Sequence, residues 1–326
     1  MAVKPKVIVV GSGIIGASVA LACQDLGAEV TVLEQGSLGG IASGNSFGWI
    51  NASFAENQAY FDLRKAALKS FRALDQRLVL DDCIRWQGTL WWEDAGRNFF
   101  KQFRSLTSRG YPASIVDEDQ IASLEPYLRQ APSQAILTAT EGAAQVQKVA
   151  LAILAEVERK GGSVRSGVSL KRIEQSIGRV CSVQTDVGNM YCDAVVLATG
   201  SAAKHGLPGV DWKLPMANKK GMILKTNALP QVINHTLMTP DVHFRQNPDG
   251  SFTAGEIFSG EIDLNVDPID LAVEVLDRIQ IKLRDVPTLS LLEVNVGVRP
   301  IPLDGLPVIG EVPGVVGVFP LSCTVA

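Results

Sequence analysis

The order of hydrophobic and polar positions predicts a βαβ unit at the start of the chain. Residues 6–10 form a short, β-branched apolar run, which is typical of a strand covered on both faces in a parallel sheet. The small and apolar residues that follow predict a helix ending at Gly27, and residues 28–34 form a second strand pattern that closes with Glu34. A strand, a turn, a helix and a strand in this order predict an α/β fold.

Helical spacing returns between Asn57 and Leu78, and Lys and Arg residues occupy the other faces of this segment. A solvated helix face is the preferred interpretation of these charges, which leaves peripheral membrane association open. Residues 148–160 and 268–284 also predict helices.

Two further segments of the chain mix strand and helix patterns. The first, from about residue 81 to 139, contains an aromatic strand pattern and a short helix at 99–110. The second contains two strand patterns around the Asn-Pro-Asp-Gly turn at 247–250. Alternation places His243 and Arg245 on one face of this hairpin. Polar residues on one hairpin face are usually exposed to solvent, so we expect exposure here; the alternative is that the two side chains line a substrate pocket.

The amino-acid composition limits the kinds of binding partner and the cellular compartment that we expect for this protein. A chain of 326 residues that is 46% apolar is long enough for two domains. Its formal net charge of −4 gives no electrostatic indication of nucleic-acid binding. The 5 cysteines form no C-x-x-C pair, and only 3 histidines are present, so we expect a reducing, cytoplasmic compartment and no structural metal. The apolar stretch 7–23 is interrupted by glycines, and we interpret it as folded structure rather than a signal peptide.

The turn of the βαβ unit, GSGIIG, predicts a dinucleotide site. Gly11 allows a tight turn, Gly13 lets the backbone approach a pyrophosphate, and Gly16 lets helix and strand pack closely. The helix start attracts phosphate, while Glu34 accepts hydrogen bonds from a ribose diol. These residues alone leave NAD and FAD open.

Three later features favour FAD. The segment 39–53 is rich in Gly, Ser and Asn, which supply amides and hydroxyls for a second contact with an extended cofactor. Residues 193–200 (DAVVLATG) predict a buried strand that ends in small residues, after a run of hairpin-like segments. The third feature is GVRPIPLDGLPVIG at 297–310.

Together the four motifs resemble the FAD-dependent D-amino-acid oxidase superfamily, and within it glycine oxidase, sarcosine oxidase and D-amino-acid dehydrogenase-like proteins. The resemblance extends over nearly the whole chain. It implies a Rossmann-like FAD-binding domain of the glutathione-reductase type, interleaved with a mostly antiparallel α+β substrate domain. We expect the FAD-binding domain at residues 1–80, 140–214 and 291–326, and the substrate domain at 81–139 and 215–290.

The same resemblance implies a set of residues that contact FAD, in addition to the three glycines and Glu34. They are Ile14, Ile15, Gln35, Ser43, Asn45, Ser46, Gly48, Val168, Thr199 and Gly200. The resemblance also implies a small-molecule amino or imino acid as the substrate.

Arg299 lies in the apolar run 297–310, where a buried guanidinium needs an anionic or hydrogen-bonding partner. From the residues alone, an internal ion pair, for example with Asp304, or an exposed strand end is as good an interpretation as a substrate contact. The resemblance favours the substrate, because it implies that the arginine of the GxRP motif holds the substrate carboxylate.

The sequence departs from the family pattern at its end, where it reads PLSCTVA. The family continues with a glycine-rich segment that contacts the flavin and then a closing helix, so we expect the FAD-binding domain to be incomplete. Three interpretations of this end stay open: truncation, frame disruption, or an exposed face that a second copy or a partner subunit covers.

Three functions follow from these observations. The preferred one is an FAD-dependent oxidoreductase that oxidises the C–N bond of an amino or imino acid. The others are a catalytically weak, flavin-binding subunit of a hetero-oligomer and, from the βαβ unit alone, an NAD-dependent dehydrogenase.

Overall fold

A computed structural model describes residues 3–55, 57–93, 96–206, 209–217, 219–255 and 266–322. The chain divides into two compact units. The first unit comprises Met1–Ser46, Val146–Lys219 and Val298–Val325, and the second comprises Phe47–Gln145 and Lys220–Gly297. The predicted chain end at residues 323–326, with Cys323, lies outside the described residues.

The described residues form seven α-helices. They are α1 Ile14–Asp25, α2 Ile41–Gly44, α3 Gln58–Leu78, α4 Arg97–Ser108, α5 Glu118–Leu124, α6 Val146–Arg159 and α7 Pro268–Lys282. The helices predicted at 57–78, 99–110, 148–160 and 268–284 are confirmed as α3, α4, α6 and α7, with ends that differ by a few residues. Among the described residues, no helix is both long enough and apolar enough to cross a membrane.

The strands of the described residues, in chain order, are β1 Lys6–Val10, β2 Glu29–Glu34, β3 Trp49–Ile50, β4 Ile84–Arg85, β5 Thr89–Trp91, β6 Ser114–Asp117, β7 Gln134–Thr138, β8 Gly142–Ala144, β9 Ser163–Ser166, β10 Leu170–Ser176, β11 Arg179–Thr185, β12 Gly188–Tyr191, β13 Ala194–Leu197, β14 Met216–Ala217, β15 Lys220–Ala228, β16 Thr236–Met238, β17 His243–Gln246, β18 Ser251–Gly255, β19 Leu291–Val298, β20 Ile301–Pro302, β21 Val308–Ile309 and β22 Val318–Ser322. A short 3₁₀ turn covers Gly200–His205.

The first unit is built on a sheet of order β21-β22-β13-β1-β2-β9. Its pairs are parallel except for β21 with β22. The predicted βαβ unit is confirmed: β1 pairs with β2, and the chain leaves α1 at Gly27, whose φ of 91° suits glycine. Because parallel strands end at the same sheet edge, the turn after β1 lies beside the residues that follow β13.

The second unit is built on a mostly antiparallel sheet of order β19-β15-β18-β17-β16-β5-β7-β6. One face carries Leu90, Leu237 and Phe244, which pack in a buried cluster with Val275 and Ile279 of α7. Residues directly opposite one another in paired strands share a face. The register therefore puts the following side chains together on the other face, here called the polar face: Thr89, Trp91, Thr236, Met238, His243, Arg245 and Thr253.

The compact units divide residues 1–80 differently from the predicted domains. The segment 47–80 belongs to the second unit, because Phe61 of α3 packs edge-on against Tyr111 at 5.8 Å and Arg72 donates a hydrogen bond to the carbonyl of Thr140. The assignment of 1–80 to FAD binding stays a prediction about function.

Candidate cofactor and substrate sites

The glycine-rich turn after β1 has no room for side chains at two positions. A Cβ on Gly11 would lie 2.3 Å from the carbonyl oxygen of Ala198, and Gly11 also has a φ of 104°. A Cβ on Gly16 would lie 1.9 Å from the carbonyl oxygen of Gly11. Both distances are shorter than any real Cβ contact, so these glycines are required by packing whether or not a ligand binds.

Gly13 differs from its two neighbours in this turn. Its Cβ would lie 3.2 Å from the side-chain oxygen of Ser43, a contact that a small shift relieves. Gly13 is the N-cap of α1 and offers no side-chain acceptor to the first amides of the helix. The amide of Ile14 donates to Ser43 Oγ at 3.0 Å. The start of a helix is a favourable site for phosphate oxygens, and at α1 the side chain of Ser43 already accepts from the first amide.

Glu34 joins the turn to the end of β2. Its Oε2 accepts hydrogen bonds from the amide of Ser12 at 3.0 Å and from Ser12 Oγ at 2.8 Å. Its Oε1 accepts from the amide of Gly36 at 3.0 Å. A carboxylate has about four acceptor positions, so one is left for a ribose hydroxyl. Glu34 therefore has a structural role that the sequence did not indicate, and the carboxylate disfavours a 2′-phosphate nearby.

The remaining predicted cofactor residues of the first unit lie in the first turn of α1 and in four other segments. Gln35 is exposed directly after Glu34, and the amide of Val168 donates to the Glu34 carbonyl at 2.9 Å. Asn45 ends α2 and Ser46 follows it, while Ile15 is in the first turn of α1. Thr199 and Gly200 begin the 3₁₀ turn after β13. Gly48 belongs to the second unit, where its carbonyl accepts from the amide of Ala144 at 2.8 Å.

The first unit thus fits the diphosphate and ribose of a dinucleotide. The start of α1 supplies backbone amides, of which the Ile14 amide already donates to Ser43 Oγ, and Glu34 supplies the ribose acceptor. The contacts of individual residues with FAD stay predictions.

Arg299 comes directly after β19, belongs to the first unit and is half-buried. Its amide donates to the carbonyl of Lys219 at 2.8 Å, which fixes the backbone beside β14 and β20. Burial lowers the pKa of the Arg299 guanidinium, since the charged form loses hydration. A partly desolvated guanidinium attracts a carboxylate more strongly than an exposed one. Asp304, the ion-pair partner considered from the sequence, is exposed and accepts from the amide of Leu306 at 3.0 Å.

The expectation that His243 and Arg245 are exposed is wrong. Their exposures are only 1% and 2%, because the polar face of this sheet is covered as completely as the face that packs against α7. His243 Nε2 lies 3.2 Å from Glu93 Oε2. Period-two alternation identifies which residues share a face, but it does not reveal whether that face meets water.

Arg245 is held by the second unit itself. Its guanidinium donates to the carbonyls of Phe47 at 2.7 Å and Ala144 at 2.8 Å, and to the side-chain oxygen of Asn247. Burial lowers the pKa of Arg245 to about 9, and the charge of Asp249 opposes this shift. These contacts connect β17 to β8 and to the segment before β3. The burial of Arg245 is therefore explained by its structural role within the second unit.

Sequence reasoning missed a fully buried carboxyl group of the second unit, that of Glu141. Glu141 is fully buried and accepts hydrogen bonds from Ser53 Oγ, from Tyr111 Oη at 2.8 Å and from Trp49 Nε1 at 2.9 Å. Burial raises the pKa of Glu141, and the hydrogen bonds oppose that rise. The donors come from separate parts of the chain, so no local pattern marks them.

Comparison with known protein families agrees with the cofactor geometry. The family model described as FAD dependent oxidoreductase matches residues 6–323. This cofactor assignment replaces the NAD-dependent alternative that the βαβ unit alone left open.

Curated relatives include an uncharacterized oxidoreductase, YurR, of Bacillus subtilis. It is 27% identical over 341 residues, which cover 96% of this chain and 87% of the relative. The hydrogen cyanide synthase subunit HcnC of Pseudomonas protegens is 31% identical over 144 residues, covering 43% of this chain and 34% of that protein.

Solved structures share the fold over nearly the whole chain. An L-amino acid deaminase from Proteus vulgaris matches with a TM-score of 0.88 at 16% identity, covering 99% of this chain and 86% of that one. A glycine oxidase from Geobacillus kaustophilus matches with a TM-score of 0.82 at 20% identity, covering 98% and 90%. At these identities the likeness shows the fold: a Rossmann-like domain combined with a mostly antiparallel one.

Proposed function

Because the chain belongs to the FAD-dependent oxidoreductase family, we propose that it oxidises the C–N bond of a small amino or imino acid. The names of its relatives and neighbours support this substrate class, since they include a D-amino acid dehydrogenase of Rhizobium johnstonii, a glycine oxidase and an iminodiacetate oxidase. The observation that carries the proposal is the pairing of a dinucleotide turn with a half-buried arginine in the GxRP motif.

In this proposal the first unit holds FAD through its own backbone. The amides at the start of α1 would bind the diphosphate, and Glu34 would accept from the ribose while keeping its hydrogen bonds to Ser12 and Gly36. Bound FAD supplies the hydride acceptor, at N5 of the flavin.

Arg299 would orient the substrate by binding its carboxylate with two parallel N–H donors. Loss of a hydride from Cα and of a proton from the nitrogen leaves an imino acid, and water then hydrolyses it to a 2-oxo acid and ammonia, or to an amine when the nitrogen is substituted. The chain needs no nucleophile for this reaction, so positioning is the main contribution of its side chains.

Arg299→Ala tests the substrate role. We expect KM for carboxylate substrates to rise at least about 100-fold, because a desolvated ion pair is lost, while the flavin absorption spectrum of the bound cofactor is unchanged. Anaerobic flavin reduction by a panel of D-amino acids, L-amino acids, glycine, sarcosine and proline identifies the substrate for this measurement.

Arg284→Ala is the matched control, because Arg284 is an exposed arginine of the second unit that donates to the carbonyl of Pro126. Its kinetics should equal those of the unchanged protein. Equal kinetics in Arg299→Ala as well would remove Arg299 from the substrate site.

A flavin-binding subunit with weak activity of its own is the second candidate. The relative HcnC supports it, because its name describes a subunit of a larger enzyme. Flavin bands in the absorption spectrum that no member of the substrate panel bleaches would favour this candidate.

A further inference from the structure

Two cysteines of the first unit face each other across a pair of antiparallel strands. β11 and β12 pair with Ser182 opposite Tyr191, and one step further along the ladder the amide of Cys192 donates to the carbonyl of Cys181 at 3.1 Å. The register therefore puts Cys181 directly opposite Cys192. Residues directly opposite one another share a face of the sheet, so both side chains, which are thiols here and not a disulfide, lie on the same side.

The spacing of such a pair suits a reversible disulfide bond. In a hydrogen-bonded pair of antiparallel residues the Cα atoms lie about 5.5 Å apart, inside the range of about 4.4–6.8 Å found for disulfides. The Cβ atoms of opposite residues lie about 4.5–5.5 Å apart, whereas a disulfide needs about 3.5–4.5 Å. The bond therefore requires a small approach of the two strands, and the strain of that approach makes the bond easy to reduce again.

The backbone around Cys181 allows this approach. Cys181 is the extra residue of a β-bulge, because the register of β11 with β10 passes from Ser182 to Val180 and skips Cys181. Its backbone is therefore not fixed by the β10 ladder. The Cys181 thiol donates a hydrogen bond to the carbonyl of Glu174 over 3.4 Å, and a thiol is a weak donor. A rotation that turns Sγ toward Cys192 removes only this weak interaction.

The surroundings of the two thiols give them different roles. Cys181 is half-buried, whereas Cys192 is only 6% exposed and packs in a hydrophobic cluster with Ile173 and Val195. Burial raises the pKa of the Cys192 thiol to about 12, and the charges of Asp193 and Cys181 add to this rise. Because the thiolate is the nucleophilic form, Cys181 is the thiol that reacts first with an oxidant, and Cys192 reacts second.

We propose that Cys181 and Cys192 form a site of reversible oxidation, at which a peroxide converts the two thiols into a disulfide bond. The Cys181 sulfur attacks one oxygen of hydrogen peroxide: an S–O bond forms, the O–O bond breaks, and the thiol proton leaves with the other oxygen as water. The Cys192 sulfur then attacks the Cys181 sulfur, so that the S–S bond forms, the S–O bond breaks and a second water leaves with the Cys192 proton. This inference does not depend on the proposed oxidation of an amino acid, so either can fail while the other stands.

Peptide mapping of the FAD-loaded protein tests the pair. No lysine or arginine lies between Arg179 and Lys204, so trypsin releases both cysteines in one peptide, residues 180–204. After treatment with hydrogen peroxide and labelling of the denatured protein with iodoacetamide, we expect this peptide to carry no label and to be about 2 Da lighter than its dithiol form. Dithiothreitol added before the iodoacetamide should restore two labels. Two labels without dithiothreitol, or a sulfinic acid that dithiothreitol does not reverse, would overturn the proposal.

Cys192→Ala separates the roles of the two thiols. Without the second thiol the sulfenic acid of Cys181 persists, so dimedone present during peroxide treatment should label residues 180–204 about tenfold more than in the unchanged protein. The matched control is Cys23→Ser, because Cys23 is another half-buried thiol of the first unit, and this variant should form the 180–204 disulfide as before. Circular dichroism verifies that each variant is folded. Equal dimedone labelling of Cys192→Ala and the unchanged protein, or loss of the disulfide in Cys23→Ser, would also overturn the proposal.

Discussion

The glycine-rich turn of the first unit and the polar face of the second unit both carry predicted site residues, yet they are determined in different ways. The turn is set by backbone packing over a few residues, as the 1.9 Å approach of a Gly16 Cβ to the Gly11 carbonyl shows. The polar face is set by contacts between distant segments, as Arg245 shows by donating to Phe47 and Ala144.

This difference separates two kinds of evidence for a site. In the turn, the residues required for packing also expose the amides that bind phosphate, so structure and function cannot be told apart from the motif alone. On the polar face, Arg245 is a candidate for substrate binding in the sequence, but in the structure its guanidinium already donates to backbone carbonyls of the protein. Charge in a strand is therefore weaker evidence of a binding site than glycine spacing in a turn.

The largest expected effect is that of Gly16→Ala. Its Cβ meets backbone that cannot move without disrupting β1 and α1, so we expect little folded protein and no flavin absorption. Gly13→Ala should fold, because its neighbour is a side chain, but it should bind FAD much more weakly. Gly310→Ala, with nothing within 4 Å of its Cβ, is the control for both. Strong FAD binding by Gly13→Ala would contradict the prediction that Gly13 is needed for the backbone to approach the FAD diphosphate.

Arg245→Ala should come next, with a loss of about 3 kcal/mol in the free energy of unfolding measured in urea. The substitution leaves buried acceptors of Phe47, Ala144 and Asn247 without their donor, and each such loss costs about 1–3 kcal/mol. Arg129 also donates to two carbonyls, those of Ile281 and Leu283, but it is exposed, so Arg129→Ala should cost less than about 1 kcal/mol. Similar losses in the two variants would show that burial of the polar face contributes little.

The smallest expected effect is a change in pH dependence in Glu141→Gln. Burial raises the pKa of Glu141 above its ordinary value of 4.5, so the folded protein holds this proton at a pH where the unfolded chain has lost it. The unfolding free energy of the unchanged protein should therefore fall as the pH rises from 4.5 through the raised pKa. Urea denaturation across this range should show a shallower fall in Glu141→Gln. Parallel pH profiles would mean that Glu141 titrates normally.

Much of the cofactor region could be predicted from the sequence. The strand before Gly11, the helix that stops before Gly27 and the strand that ends at Glu34 all follow from apolar spacing and glycine, because each depends on neighbours close in the chain. The additional hydrogen bonds of Glu34 to Ser12 and Gly36 could not be predicted, since they require the folded turn.

The polar face was predictable only in part. The hairpin around residues 247–250 and the shared face of His243 and Arg245 are confirmed, because alternation and turn chemistry are local. The burial of both residues and the network of Glu141 were not predicted. Ser53, Tyr111 and Glu141 are separated along the chain by many residues, and the sequence contains no spacing that relates them.

The sequence by itself determined the α/β start, the dinucleotide turn and the family motifs, because backbone sterics and periodicity act over a few residues. The tertiary structure alone decided that Arg245 is bound internally, and that Glu141 is buried with four hydroxyl groups hydrogen-bonded to it. These features depend on the packing of distant segments, whose free energies arise from burial and mutual contact rather than from local conformation.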